Sequence, residues 1–170
     1  MSTVVNKVTL EVRKSVNTPD YDPSLWLINP DHLDAPRHHV RVNEAGDNLE
    51  LLSEAEIEEA DQAAFGALKA EMVEFFRDQY KNERERRYEL QTLLYAQYLM
   101  YKAAVDMNDD VIDYLTPLVD WIVDGDRLVR EAEIQVLAAS NEDELNAVSI
   151  DFSGWLGSDP GISVRFAETM

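Results

Sequence analysis

The sequence predicts an α+β fold, predominantly α, from three observations. Between Ser53 and about Asp106 there is no proline, a single glycine (Gly66) and an apolar stripe with helical spacing. Residues 1–52 carry alternating or proline-rich text of extended character, whereas residues 108–170 return to short helical segments separated by caps, proline and glycine. These three stretches, 1–52, 53–107 and 108–170, are the expected organisation of the chain.

In the first stretch Val8, Leu10 and Val12 alternate with Lys7, Thr9, Glu11 and Arg13, the period of a half-buried strand. Pro19, Pro23, Pro30 and Pro36 then recur among Asp, Asn and Ser, which predicts an ordered, extended loop. Leu25, Trp26, Leu27 and Ile28 in its middle pin that loop to an apolar surface. His38–Val42 and Asn48–Leu52 flank Asn43-Glu44-Ala45-Gly46-Asp47, the pattern of a β-hairpin with Val40, Val42, Leu49 and Leu51 on its apolar faces.

Ser53-Glu54-Ala55-Glu56 is a capping box, followed by acids that suit the positive end of a helix dipole. The stripe beyond it runs through Ile57, Ala60, Ala64, Leu68, Met72, Phe75, Phe76 and Tyr80, and resumes at Leu90, Leu94, Tyr98, Tyr101 and Val105. The polar interval Lys81–Arg87 has opposite charges at helical spacings. A continuous helix from Ser53 to Asp106 would be about 80 Å long at 1.5 Å per residue. A compact domain of this chain length is only about 40 Å across. The helix therefore either folds back as a hairpin near Asn82 or projects and bundles with copies of itself; the shortage of turn residues favours projection. The expected interface is Leu68, Met72, Phe75, Phe76, Tyr80, Tyr88, Leu90, Leu94, Tyr95, Tyr98 and Tyr101, whose aromatic side chains occupy more than one helix face.

In the last stretch Asn108 or Asp109 caps a helix through Val111, Ile112 and Leu115, and Thr116-Pro117 starts another through Leu118, Val119, Ile122 and Val123; a kinked continuous helix is the alternative. Gly125 is expected to stop it, with a further helix from Asp126 to Ala139. Ser140 with Asp143 caps a short helix to Val148. Ile162, Val164 and Phe166 alternate as a terminal strand. Trp26, Ile28, Trp155 and Phe166 are expected to dock other proteins.

Composition narrows the function. The chain of 170 residues has 34 acidic and 15 basic side chains, a formal charge of −19, which argues against binding nucleic acid or an anionic membrane surface. Fourteen acids against three bases lie in residues 108–170, a solvated surface or a face for a basic partner. Cysteine is absent, which removes disulfides and thiolate metal sites. No signal-peptide pattern or membrane-length apolar run is present, so a soluble protein is expected. His32, His38 and His39, the chain's three histidines, lie near Asp31 and Asp34 in a pattern without metal-motif spacing, and are expected to be ordinary loop residues. Asp106, Asp109, Asp110 and Asp113 lack the glycine turn and closing Glu of a calcium loop and are expected to cap helices. No phosphate loop, nucleophile elbow or zinc-protease motif occurs, so no enzyme, catalytic residue, cofactor or metal is expected.

Trp26-Leu27-Ile28-Asn29-Pro30-Asp31, Ala35–Val42, Leu51–Glu56, and Glu144–Phe152 followed by Asp159-Pro160 together resemble small structural proteins of tailed bacteriophages, in which an Asn-Pro-Asp loop leads through a hairpin to a Ser/Thr-x-x-Glu helix start. The resemblance implies a virion component (fibre, capsid-associated or connector) made in the host cytoplasm, with other virion proteins as partners, and carries over no catalytic residue. The expected function is a non-enzymatic, homo-oligomeric structural protein, with a trimer the expected state. The competing expectation is a monomeric acidic adaptor or assembly chaperone whose long helix is a hairpin.

Overall fold

The computed structural model describes residues 2–170, and the chain divides into two compact units, Met1–Ala67 and Leu68–Met170. The fold is α+β and mostly helical. The division falls inside the first long helix, not at residues 52 and 107.

The first unit opens with an antiparallel sheet of β1 (Ser2–Asn6), β2 (Val12–Val16) and β3 (Trp26–Ile28), in the order β2-β1-β3. The strand expected around Val8–Val12 is thus displaced. Asn6 Oδ1 accepts from the amides of Val8 (2.9 Å) and Thr9 (3.0 Å), so the chain turns there and Val8 lies exposed. The central strand hides its pattern because the successive residues Val4 and Val5 are both fully buried, one on each face. The Asn-Pro-Asp loop is tied on both sides. Thr3 donates to Asn29 Oδ1 (2.8 Å), and Asp31 exchanges hydrogen bonds with the Asn48 side chain at 2.8 and 2.6 Å.

The expected hairpin is present as β4 (Val40–Val42) and β5 (Leu49–Leu51), paired Val40 to Leu51 and Val42 to Leu49. Val5, Leu27, Val40 and Leu49 form the core of this unit. The capping box then starts α1 (Glu54–Arg87): Glu56 Oε2 accepts from the Ser53 amide (2.8 Å) and hydroxyl (2.7 Å), and Ser53 Oγ accepts from the Glu56 amide (3.4 Å).

The second unit contains the rest of α1, then α2 (Leu90–Asp106) and α3 (Asp109–Ala138). The helix expected to run unbroken to Asp106 ends at Arg87, and Glu89, at φ −57° and ψ 146°, occupies the N-cap position of α2 without a side-chain capping bond. No glycine or proline marks the break; tertiary contacts impose it. The Tyr88 ring lies against Trp121 (5.5 Å between centroids), its hydroxyl donates to Asp159 Oδ1 (2.8 Å) and accepts from the Ile162 amide (3.0 Å). Asn82 sits inside α1, so there is no hairpin at that position.

At Pro117 the continuous alternative holds, and the helix expected to start anew at Asp126 belongs to the same element, so residues 109–138 are one helix. Its buried residues Val111, Leu115, Leu118, Trp121, Gly125, Val129, Ala132 and Val136 keep a helical period through both Pro117 and Gly125. Pro117 deprives Asp113 of its helical donor, and the Thr116 hydroxyl donates to the Ile112 carbonyl (2.8 Å) in the adjoining turn. Gly125 is not a stop. A Cβ there would lie 2.5 Å from the Tyr80 ring and 2.7 Å from Trp155.

α3 runs back along both preceding helices. Lys69 Nζ donates to the Leu137 carbonyl (3.0 Å), Arg77 pairs with Glu133 (2.6 Å), and Tyr80 Oη donates to the Ile122 carbonyl (3.1 Å). Ala96, Leu99 and Ala103 of α2 join Val111, Leu115 and Leu118 in one core. At 34 and 30 residues, α1 and α3 are about 50 and 45 Å long. The long helical stretch therefore finds its partner inside the same protomer, and its length alone no longer calls for sister subunits.

The core closes with α4 (Glu142–Asn146), α5 (Ser153–Gly157) and α6 (Val164–Ala167). Asn141, rather than Ser140, caps α4, accepting from the Glu144 amide (2.9 Å). The expected terminal strand is a helical turn that buries Val164 and Ala167. Every other element of this unit is a helix, so a strand there would have no ladder to join. Among the described residues no helix is long and apolar enough to cross a membrane.

Candidate functional site

Two features of the surface combine chemistry with local construction, one in each unit. In the second unit the feature is the outer side of α2. This helix turns its small residues inward: Ala96 and Ala103, with Leu99 between them, are its buried positions. Small side chains let α2 lie close to α3, where Leu115, Leu118 and Trp121 supply the bulk. The large side chains Leu90, Leu94, Tyr98, Tyr101 and Val105 consequently face outward, each at least half exposed and spaced by four, four, three and four residues. They make one straight stripe. Tyr95 lies beside it, its ring stacked on that of Tyr98 at 6.0 Å. A hydrogen bond to Glu168 is the main cause raising the Tyr95 hydroxyl above its ordinary range, with some burial added.

The stripe borders an apolar groove between α2 and α3 with a volume of about 420 Å³, lined by Leu90, Leu93, Leu94, Met100, Ile122 and Val123 among others, with the half-buried Arg84 of α1 also in its wall. The whole of α2 carries one acid and one base, Asp106 and Lys102, which pair with each other at 3.6 Å. On a chain of charge −19 this is a neutral surface.

The remaining candidate residues divide sharply. Phe76, Tyr80 and Tyr88 are buried, Tyr80 and Tyr88 within the core of their own unit, and have little area left for a second copy. Burial, with Asp126 adding to it, pushes the Tyr80 hydroxyl far up, and burial followed by the Asp159 hydrogen bond pushes Tyr88 up to about 12. Leu68 and Phe75 are exposed and Met72 is half-buried; the three line a second, shallower groove with Leu145. Of the expected docking residues, Trp155 is buried, stacked on Trp121 at 4.3 Å, and each indole donates to the other's carbonyl at 2.9 and 2.6 Å. Trp26 is half-buried, edge-on to Tyr21 and under the Arg13 guanidinium. Ile28 and Phe166 are exposed, Phe166 against the Tyr114 ring.

In the first unit the feature is a cluster. A single 3-10 turn at Arg37–His39, entered through Pro36, presents two successive imidazoles. Both aim Nε2 at one oxygen of Asp61 in α1: His38 donates at 2.8 Å and His39 at 2.6 Å. These two hydrogen bonds, His39 first, hold the Asp61 carboxyl below its usual range. The supports are local and numerous. Leu52 donates to the His39 carbonyl (2.9 Å), and Arg41 of the hairpin reaches Glu50 (2.7 Å) and Glu56 (2.9 Å), fixing hairpin and helix start together. His32 has positive φ in the loop before this turn and is not part of the cluster. Sequence reasoning put His38 and His39 beside the proline-rich loop and in the first hairpin arm, whereas the arm starts at Val40 and both lie in the turn before it; it also missed Asp61, which looked like one more acid in the first turns of a helix. Only the fold brings residues 22 and 23 positions apart to one point.

No protein-family model, curated protein or solved structure matches the chain.

Proposed function

We propose that the chain is a non-enzymatic structural subunit that assembles with copies of itself through the outward stripe of α2. Its resemblance to small proteins of tailed bacteriophages supports a virion as the setting and other virion proteins as neighbours. The observation that carries the reading is the row of Leu90, Leu94, Tyr98, Tyr101 and Val105, all at least half exposed. With aromatic side chains offering about 150–250 Å² each, the five expose roughly 500–600 Å² in one band. That is at the upper limit of what monomeric proteins leave uncovered. A pair of such bands, with the groove margins, approaches the roughly 1,200 Å² of a small specific interface.

Charge points to a second copy as the occupant. Two bodies of −19 each repel, and only a face with no net charge lets them meet at low cost. The sequence of α2 provides that face, and its tyrosines are of the kind favoured at contacts. Sedimentation of the purified chain tests the reading. A mass above that of one chain at micromolar concentration is expected, with a trimer as the working stoichiometry. Leu94→Glu with Tyr101→Glu should return the monomer with an unchanged helical spectrum. Added salt should strengthen assembly by screening like charges, the reverse of an interface held by ion pairs. A monomer throughout the concentration range would overturn the proposal and leave the acidic adaptor in its place.

A further inference from the structure

We propose that His38, His39 and Asp61 form a binding site for one divalent transition-metal ion of the zinc class. The three ligand atoms, two imidazole nitrogens and a carboxylate oxygen, all lie within 4.8 Å of one another. Zinc holds imidazole nitrogen and carboxylate oxygen at about 2.0–2.2 Å, which puts neighbouring ligands of a tetrahedron about 3.3 Å apart. The present Nε2-to-Oδ1 separations are 2.8 and 2.6 Å. Admitting an ion in place of the two bridging protons thus requires the two nitrogen–oxygen pairs to open by only about 0.5 and 0.7 Å. Side-chain torsions suffice for that, because His38 and Asp61 are exposed and His39 is half-buried.

The donor set selects the ion. Two imidazoles with one carboxylate suit zinc, nickel, copper or ferrous iron, whereas calcium and magnesium favour shells of oxygen. Three protein ligands on an open surface leave further positions to water, the form of a solvent-accessible site rather than a closed structural one. The scaffold limits the entropy of closing it. Pro36 and the bond from the Leu52 amide fix the turn that carries both histidines, and the Arg41 bridge to Glu50 and Glu56 fixes the start of the helix that carries Asp61. The surrounding unit has thirteen acids and five bases between residues 1 and 67, a field that draws cations. The site is independent of assembly through α2, since no residue is shared.

The test is titration of the full chain, freed of metal by a chelator, with Zn²⁺ against a chromophoric competitor at neutral pH and physiological ionic strength. One ion per chain with micromolar affinity is expected, and Co²⁺ in its place should give visible d–d absorption. Asp61→Asn and His38→Ala should each weaken binding by at least about tenfold, while His32→Ala, in the same loop but outside the cluster, should change it less than about twofold. Helical spectra identical to wild type establish that the variants fold; His38→Ala, at an exposed position, serves if Asp61→Asn does not. Absence of saturable binding, or wild-type affinity in Asp61→Asn and His38→Ala, would overturn the proposal and leave a hydrogen-bonded clasp. Loss of binding in His32→Ala equal to that in the cluster variants would overturn it as well.

Discussion

Gly125→Ala should destabilise the second unit, although it replaces the poorest helix former but proline with the best. In an open helix the exchange gains about 1 kcal/mol. At Gly125 the new methyl would stand 2.5 Å from Tyr80 Cε2 and 2.7 and 2.8 Å from two carbons of Trp155, about 1 Å inside the 3.5–4.0 Å optimum. Neither ring has room to retreat. Tyr80 is held by its bond to the Ile122 carbonyl, and Trp155 by its stack on Trp121 and the two reciprocal indole bonds. Overpacking of this kind costs about 1–3 kcal/mol, and contacts this close to anchored rings put it at the upper end, so a net loss of about 1–2 kcal/mol is expected.

Gly66→Ala supplies the control. That glycine is in α1, and a Cβ added there would meet nothing within 4 Å, so the variant should gain the full helical increment of about 1 kcal/mol. Urea unfolding followed by tryptophan emission, in a Trp26→Phe background so that Trp121 and Trp155 report, measures the first variant; helical signal measures the second. The signs should be opposite. A Gly125→Ala protein as stable as its parent would refute the close seating of Tyr80 and Trp155 on α3.

Tyr88→Phe should reduce the alkaline sensitivity of the second unit. The hydroxyl is raised from 10.0 to about 12 in the folded chain, so an unfolded chain gives up this proton first, and stability is full below pH 10 and lost as pH rises through 12. The variant removes that part of the slope, though not the part due to Tyr80, and costs about 1–2 kcal/mol at neutral pH because the Ile162 amide loses its acceptor, while Asp159 gives up one donor and keeps the Gly161 amide and Arg87; unfolding at a series of pH values reads both. Met107→Gly should stabilise the α2–α3 connection by about 1 kcal/mol in denaturant titration, since Met107 caps α2 at φ 56° with its side chain exposed and has no packing to lose. An unchanged or lowered midpoint would contradict the left-handed cap.

Local chemistry was legible wherever a few neighbouring residues decide the backbone. The Ser53–Glu56 box, the Asn43–Asn48 turn and the Asn108 cap all hold, the last accepting from the Val111 amide at 3.4 Å. Signals failed where a distant contact overrides the local rule. Pro117 and Gly125 read as punctuation, yet the buried period of α3 passes through both, because a proline in the first third of a helix costs one bond and a glycine under two rings is a packing requirement. Conversely, Tyr88-Glu89 has no breaker and still ends a helix, because the Tyr88 hydroxyl is anchored between Asp159 and Ile162, more than seventy residues away. The His38–His39–Asp61 cluster failed to announce itself for the same reason: its third member belongs to another element.

The stripe on α2 shows that the strongest hydrophobic periodicity and the face buried within the protomer need not coincide. Hydrophobic periodicity weights a helix by the size of its apolar side chains, and by that measure Leu90, Leu94, Tyr98, Tyr101 and Val105 are its strong side. The fold buries Ala96, Leu99 and Ala103 instead. Close approach explains the choice: Leu115, Leu118 and Trp121 of α3 need holes, and alanines at intervals of seven leave them two turns apart. Seating the large side instead would push α2 outward and open voids around Trp121, whose ring is fixed by Tyr88 and Trp155. Intrachain packing thus takes the small side and leaves the larger apolar area in water. An amphipathic helix serving only its own domain gains nothing from five large apolar residues on that side, where polar ones would keep the helix equally well. Their presence on a neutral helix of an otherwise acidic chain is what favours a second surface as their destination.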